Sequence, residues 1–183
     1  MNNKLVFSAI LMIVGFVALA AFRPTYSHKK PTETMKWYTI EEAEKLCKTK
    51  PKKIMIDMYT DWCGWCKRMD ANTFSQEEVQ DYVFKNFYPV KLNAEQKENI
   101  NFNGHTFKWM AGGRKGVNEL AVSLTNGQLS YPTIVYLDEK FQVVRVAPGY
   151  KEKAQIMSEL KYVKDELYKQ VTYEQYKAKH PKD

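Results

Sequence analysis

Two cysteines, Cys63 and Cys66, are separated by a glycine and a tryptophan in the stretch DWCGWCK. Two thiols at this spacing can hold a metal, form a permanent disulfide, or exchange electrons with another disulfide. A structural zinc site needs four ligands. Beyond this pair the chain offers only Cys47 and three scattered histidines, with no second CxxC and no HxxxH. We therefore expect no metal site, favour a redox pair, and keep an inert disulfide as the alternative.

The composition is that of one folded domain of ordinary size. The chain has 183 residues, of which 44% are hydrophobic and 14% aromatic, and these fractions argue against disorder. Its net charge is +7, but the lysines are spread along the chain and alternate with glutamates in the C-terminal third, as on a solvated helix face. Since no arginine cluster or nucleic-acid-binding motif is present, we expect no nucleic-acid partner.

The N-terminal residues 1–22 are typical of a signal peptide or a membrane anchor. An apolar run follows Lys4, and Ala18-Leu19-Ala20 has the small-x-small form of a signal-peptidase site. The run is also close to the roughly 20 residues that span a bilayer. Either alternative places the domain in the periplasm or cell envelope, although the positive charges after the run would also permit the reverse orientation. Polar residues 23–36, with two prolines, indicate a linker.

The hydrophobic pattern predicts alternating helices and strands. The expected elements are a helix capped by Thr39 and Glu42, a strand over 53–59, a helix after the CxxC pair interrupted near 70–74, a helix capped by Ser75 and Glu78 that ends near Asn86, a strand over 88–93, a helix over 117–127, strands over 132–138 and 141–147 joined by a tight turn at 139–140, and a helix over 151–171. This order predicts an α/β fold with a central mixed sheet of four or five strands and helices on both faces.

Several separate motifs resemble the thioredoxin family. In IDMYTDWCGWCK, Asp57 lies six residues before the first cysteine; YPT at 131–133 resembles the cis-proline loop that faces the cysteines, and PGY at 148–150 resembles the glycine turn of the substrate groove. The stretch from the CxxC pair to VKLN is similar to exported bacterial members such as the C-terminal domain of the thiol:disulfide interchange protein DsbD. The resemblance covers about residues 37–170 and leaves 171–183 as a charged tail.

The resemblance implies a role for each residue of this site. Cys63, partly exposed at a helix start, is the expected nucleophile, and Cys66, one turn further in, is the expected resolving cysteine. Burial should raise the pKa of Asp57, which would then take the proton from Cys66; alternatively, its carboxylate is only satisfied by Lys91 on the neighbouring strand. The residues expected to form the substrate groove are Trp62, Gly64, Trp65, Tyr131, cis-Pro132 and Gly149.

An insertion over residues 94–116 contains a predicted hairpin, because Asn103-Gly104 is typical of a type I′ turn. Strand alternation places the following residues on one face: Ile100, Phe102, His105, Phe107 and Trp109. Since an isolated hairpin is marginal in water, this face must pack on something. It packs either on the domain's own surface or beside the active-site groove, where the basic loop GGRKG would suit an acidic partner.

Together these observations predict an envelope thiol–disulfide oxidoreductase that mainly reduces disulfides in exported proteins. The dithiol is itself the redox centre, so no cofactor is expected, and a membrane thiol reductase is the expected electron donor. An oxidase or isomerase is an alternative, because reduction potentials within this fold span about −270 to −120 mV. A non-catalytic binding or chaperone module on the same scaffold is a second alternative. We expect membrane contact only through an uncleaved N-terminal segment.

Overall fold

The computed structural model describes residues 35–112 and 115–180, so the predicted signal peptide or anchor and most of the predicted linker lie outside the described residues. The elements, in chain order, are α1 (Ile40–Thr49), β1 (Lys53–Tyr59), α2 (Gly64–Met69) with a π-helical turn after it (Asp70–Phe74), α3 (Glu77–Asn86), β2 (Phe87–Asn93), β3 (Ile100–Phe102), β4 (His105–Phe107), β5 (Trp109–Met110), β6 (Val117–Asn118), α4 (Glu119–Thr125), β7 (Thr133–Leu137), β8 (Val143–Pro148), α5 (Lys153–Lys164), a 3₁₀ turn (Leu167–Lys169) and α6 (Tyr173–Lys179). None of the helices in the described part is both long and apolar enough to cross a membrane.

Four strands form the central sheet in the order β2–β1–β7–β8. β1 and β2 are parallel, as a crossover helix between them requires, whereas β7 is antiparallel to both β1 and β8. The predicted mixed sheet is therefore confirmed. Tyr38, just before α1, adds a short parallel bridge to Val90 on the outer edge of β2.

The sheet separates two apolar clusters, because successive side chains of a strand point to opposite faces. On β1, Ile54, Ile56 and Met58 join the cluster under α1 and α4. Met55 joins the cluster under α3 and α5. Asp57 lies two positions after Met55 and therefore shares its face of the sheet. Helices thus cover both faces, as predicted.

Two capping boxes were predicted, and one is present. The Thr39 hydroxyl accepts the backbone N–H of Glu42, and the Glu42 carboxylate accepts the backbone N–H of Thr39. The box at Ser75 is wrong, because the Ser75 hydroxyl donates to the carbonyl of Ala71 within the π-helical turn. α3 begins after Gln76 instead, without a side-chain cap.

The connection between β7 and β8 is longer than the predicted two-residue turn. The Asp138 carboxylate accepts the backbone N–H groups of Lys140 and Gln142, which orders the loop. Phe141 takes a left-handed conformation with φ 65°. Its ring packs on Phe102 of the insertion, with centroids 5.2 Å apart. A tertiary contact therefore accompanies this unusual backbone.

The C-terminal region packs more extensively than the sequence suggested. α5 ends at Lys164 rather than near residue 171, because Glu166 adopts a left-handed backbone with φ 55°. The Glu166 carboxylate contacts Lys53 at the start of β1, at 2.9 Å. The segment expected to be a charged tail contains the helix α6, whose Tyr173 and Tyr176 are buried in the core. Because this segment is rich in charged residues, its sequence did not indicate that the two tyrosines pack in the core.

The insertion contains the predicted hairpin in the predicted register. The turn residues Asn103 and Gly104 both have positive φ, 51° and 78°. Ile100 and Phe102 are buried in the cluster under α1. In addition, Glu41 and Glu44 of α1 accept backbone N–H groups of the hairpin. The hairpin therefore extends the core of the domain.

Of the residues predicted for the apolar face of the hairpin, one is exposed and one lies elsewhere. His105 faces Phe102 in the predicted register and its ring lies against Phe107, with centroids 4.6 Å apart, but the residue is exposed. Trp109 belongs to β5, which pairs with β6 instead of continuing β4. The interruption falls at Lys108. Its backbone N–H donates to the side-chain carboxylate of Glu119 at the start of α4, and its carbonyl accepts the backbone N–H of Glu119. These two bonds direct the chain away from the hairpin.

Replacing Ile100 by alanine is expected to lower the free energy of unfolding by about 2–5 kcal/mol, because a buried isoleucine side chain is removed from the core. Lys108→Ala, an exposed position in the same insertion, is the control and should change this free energy by less than about 0.5 kcal/mol. Urea unfolding followed by circular dichroism measures both values. If the two variants are equally stable, the hairpin does not belong to the core.

Candidate active site

Cys63 and Cys66 lie just after β1, at the start of α2. They form a disulfide with an S–S distance of 2.02 Å and a Cα–Cα distance of 5.3 Å. Cys63 is the N-cap residue of α2, and its sulfur accepts the backbone N–H of Cys66 at 3.0 Å. Free N–H groups at a helix start favour a thiolate over a thiol. Reduction of this disulfide would therefore leave the Cys63 sulfur beside a donor that stabilises its charged form.

Both cysteines are buried, whereas the two neighbouring tryptophans are exposed. Cys63 is 4% exposed and Cys66 is 2% exposed, so Cys63 is less accessible than the sequence suggested. The bond between the two sulfur atoms itself removes surface from each. Trp62 and Trp65 are each 56% exposed. The ring of Trp65 lies beside Tyr150, with centroids 5.4 Å apart. The disulfide therefore lies next to exposed aromatic surface.

The loop before β7 and the turn after β8 lie near the start of α2. The peptide bond between Tyr131 and Pro132 is cis, as predicted. The Tyr131 ring meets the Trp62 ring edge-on, with centroids 5.9 Å apart. Gly149, with φ 88°, donates its backbone N–H to the Pro132 carbonyl at 2.8 Å. Gly64 is the first residue of α2, and the space beside its Cα is open.

The carboxyl group of Asp57 is completely buried on β1. Lys91, its register partner on the parallel strand β2, approaches Asp57 Oδ2 at 2.5 Å. The other oxygen, Oδ1, has no hydrogen-bond partner among the described residues. Burial raises the pKa of Asp57 to about 6, and this effect outweighs the lowering by the Lys91 ammonium.

Lys91 connects this strand to the helix that carries the cysteines. Its ammonium also contacts the carboxylate of Asp70, which lies four residues after Cys66. The ring of Trp37 covers the ammonium at 4.8 Å from its centroid. Burial alone would lower the pKa of Lys91, but the carboxylates of Asp57 and Asp70 raise it. The sequence predicted the contact with Asp57 and missed Asp70, although a spacing of one helical turn from Cys66 was an available indication.

Glu95, at the start of the insertion, is a second residue that the sequence did not indicate. Its carboxylate accepts the indole N–H of Trp62 at 2.8 Å. Its backbone N–H donates to the side chain of Asn93, whose amide in turn donates to Asp61 at 3.3 Å. The insertion therefore reaches the residue immediately before Cys63.

The third cysteine lies apart from this site. Cys47 is buried on α1, and its thiol donates to the carbonyl of Lys52 at 3.2 Å. Burial raises the pKa of the Cys47 thiol, which favours its unreactive form. Within the described ranges, no three or more His, Cys, Asp or Glu side chains are arranged to hold a metal ion.

Comparison with known proteins identifies the family. The family model described as a thioredoxin-like domain matches residues 40–164. The chain belongs to the thioredoxin-like family of thiol–disulfide oxidoreductases. Over 99 residues, 54% of this chain, it is 45% identical to the thiol:disulfide interchange protein DsbD of Actinobacillus pleuropneumoniae serotype 5b, and the match spans 14% of that protein. The predicted family, its similarity to DsbD and the enzyme class are thereby confirmed.

Solved structures share the fold at low sequence identity. A thioredoxin-fold protein from Helicobacter pylori aligns with a TM-score of 0.54 and 18% identity, over 71% of this chain and 80% of that one. A thioredoxin from Thermus thermophilus aligns with a TM-score of 0.53 and 20% identity, over 72% and 88%. The predicted thioredoxin fold is therefore confirmed.

The raised pKa of Asp57 predicts a dependence of stability on pH. Folding raises this pKa from 3.8 to about 6, so between these values the folded protein keeps a proton that the unfolded chain has lost. The free energy of unfolding should then fall as the pH rises through this window, by up to about 3 kcal/mol from this group alone. Asp57→Asn removes that contribution, so the variant should gain stability relative to the natural protein by this amount between about pH 4 and pH 7.

Urea unfolding of the oxidised protein at a series of pH values measures both curves. Asp61→Asn, at an exposed carboxylate near the same cysteines, is the matched control and should follow the natural protein. The contrary result is a free energy of unfolding that differs between Asp57→Asn and the natural protein by the same amount at every pH in this range. That result would show that the pKa of Asp57 is not raised by folding.

Proposed function

We propose that this protein reduces disulfides of exported proteins, with Cys63 as the nucleophile and Cys66 as the resolving cysteine. The observation that carries this proposal is the Cys63 sulfur at the start of α2, which accepts the N–H of Cys66 beside exposed aromatic surface. This position favours a thiolate and leaves room for a protein substrate.

The reaction consists of two exchanges. The Cys63 thiolate attacks one sulfur of the substrate disulfide, an S–S bond to the substrate forms, and the other substrate sulfur leaves as a thiolate. The Cys66 sulfur then attacks Cys63, the mixed disulfide breaks, and the substrate leaves with its second thiol. The substrate gains two electrons, and the protein is left with its Cys63–Cys66 disulfide. No cofactor takes part, because the dithiol holds both electrons.

We assign Asp57 the proton that Cys66 loses when it attacks. A carboxyl group with a pKa of about 6 is mostly ionised at neutral pH and can still hold a proton there. Lys91 occupies one oxygen of Asp57, whereas Oδ1 has no hydrogen-bond partner among the residues that the structure describes and can accept the proton. Lys91 is a supporting residue, since its ammonium keeps the carboxylate from being fully protonated at neutral pH.

The proposed substrate groove is formed by the cis-Pro132 loop and by residues near the disulfide and in the turn after β8. Proline has no backbone N–H, so the cis-Pro132 loop offers the Tyr131 backbone to an extended substrate segment. The remaining groove residues are Trp62, Gly64, Trp65 and Gly149. The exposed indoles among them supply apolar surface for a polypeptide.

The sequence and the DsbD relative support a proposed location and electron donor for this reaction. The predicted N-terminal signal peptide or anchor supports export to the periplasm or cell envelope. The relative's printed name, a thiol:disulfide interchange protein, supports electron transfer by exchange with another thiol protein. We therefore propose that a membrane thiol reductase returns the Cys63–Cys66 disulfide to the dithiol, and that no nucleic acid is involved.

Activity assays test the assignment of the cysteines. The natural protein should catalyse the reduction of insulin disulfides by dithiothreitol. Cys63→Ser should abolish this catalysis, because the proposed nucleophile is lost and the remaining Cys66 thiol is buried. Cys47→Ser is the matched control and should retain it, since Cys47 is buried away from the site. An inactive natural protein would favour the non-catalytic binding or chaperone alternative.

The direction of electron flow is tested separately by the reduction potential. Equilibration with glutathione buffers should give a value below about −200 mV, toward the thioredoxin end of the range. A value near −120 mV, typical of the strong oxidants of this fold, would instead identify an oxidase.

A further inference from the structure

A cavity of about 570 Å³ lies beside Trp62 and Tyr131, between the central domain and the insertion. Its lining residues are Trp62, Glu95, Gly112, Lys115, Gly116, Val117, Leu129 and Tyr131. Trp62 directly precedes Cys63, and Tyr131 directly precedes the cis-Pro132 loop. The cavity is therefore continuous with the proposed substrate groove.

The outer wall of this cavity depends on one glycine of the insertion. Gly116 has φ 73°, and its backbone N–H donates to the carbonyl of Gly112 at 2.7 Å. A Cβ at this position would lie 2.2 Å from a ring carbon of Trp109 and 2.6 Å from the carbonyl oxygen of Met110. Only glycine therefore lets the Trp109 ring pack directly against this loop.

The wall is also fixed to the rest of the domain. Asn118 is completely buried, and its backbone N–H donates to the carbonyl of Ala94 at 2.7 Å, which joins the two ends of the insertion. The Asn118 amide donates to the carbonyls of Gln96 and Glu98. These bonds hold the wall in place before any substrate arrives, so the cavity is preformed.

The chemistry of the lining favours an apolar occupant. Trp62, Val117, Leu129 and Tyr131 contribute mostly carbon surface, and Leu129 is 38% exposed in the absence of a partner. The charged lining residues Glu95 and Lys115 have opposite signs and so give no net charge preference. A concave apolar surface with a few polar groups is typical of a site that accepts a side chain or a small ligand.

We propose that this cavity is a subsite for an apolar side chain of the substrate polypeptide, close in sequence to the cysteine that reacts with Cys63. The occupant is an extended segment of a disulfide-bearing protein, because the cavity shares Trp62 and Tyr131 with the proposed substrate groove. The insertion thus determines specificity by supplying the outer wall. This inference rests on the proposed thiol–disulfide exchange, since the subsite acts only on polypeptides that reach Cys63.

Peptide mixed disulfides test the subsite directly. The probes are glycine–serine peptides with one cysteine joined to thionitrobenzoate, with a phenylalanine placed at each of three positions on either side of the cysteine, and a serine-only reference. The Cys63 thiolate attacks the peptide sulfur, the bond to thionitrobenzoate breaks, and its coloured thiolate leaves; Cys66 then displaces the peptide. We expect at least one phenylalanine peptide to react about tenfold faster than the reference with the reduced protein.

Variants of the wall should remove this preference. Leu129→Lys places a charge in the apolar lining, and Gly116→Ala displaces Trp109, so both should bring the rate ratio of phenylalanine to serine peptide close to one. Val143→Lys is the control for a lysine at an exposed apolar position outside the cavity. Gly104→Ala is the control for alanine at a positive φ in open space. Both controls should keep the preference. Circular dichroism confirms folding, and Leu129→Lys carries the test if Gly116→Ala does not fold.

Different results would refute the subsite and the thiol–disulfide exchange function. If the natural protein reduces insulin and reacts with the peptides but shows no phenylalanine preference, or if Leu129→Lys keeps that preference, the subsite is refuted and the oxidoreductase function stands. If the natural protein neither reduces insulin nor releases thionitrobenzoate from any peptide, the exchange function is refuted and the subsite with it.

Discussion

The burial of one carboxyl group, that of Asp57, is the constraint on which the site depends. Removing an ionised carboxylate from water costs several kcal/mol unless a charge partner compensates. The parallel register of β1 and β2 places Lys91 directly opposite Asp57. This compensation is incomplete, because Asp57 Oδ1 has no partner in the described part of the chain. The pKa therefore lies near 6, where the group can both hold and release a proton close to neutral pH.

The same ion pair joins the sheet to the cysteine helix. Lys91 contacts Asp57 on β1 and also Asp70, one turn beyond Cys66. The strand that buries the carboxyl group also ends four residues before Cys63, so one short segment positions both the titratable group and the proposed nucleophile. The sheet is covered on both faces, and Asp57 is completely buried within it.

The parts of the fold that depend on local interactions were predictable from the sequence. The order of the main helices and strands along the chain followed from the hydrophobic pattern, the Thr39 capping box from its spacing, and the hairpin from Asn103-Gly104. Two errors have different causes: the Ser75 hydroxyl finds a competing carbonyl four residues earlier in the π-helical turn, whereas Glu166 ends α5 where its carboxylate contacts the distant Lys53 of β1. The contributions of Glu95 and Trp109 depend on tertiary contacts, with Trp62 and Gly116, that no short pattern encodes, whereas the spacing of Asp70 from Cys66 was an available indication.

Burial beside a single compensating charge, that of Lys91, raises the pKa of Asp57 above its ordinary value. Carbon-detected NMR of the oxidised protein with ¹³C-labelled aspartate measures this pKa directly, and Asp57→Asn identifies the signal. We expect the Asp57 carboxyl group to titrate with a midpoint at about 6. A midpoint at or below the ordinary value of 3.8 would contradict it, because the carboxylate would then be fully stabilised by its surroundings and unable to take a proton from Cys66.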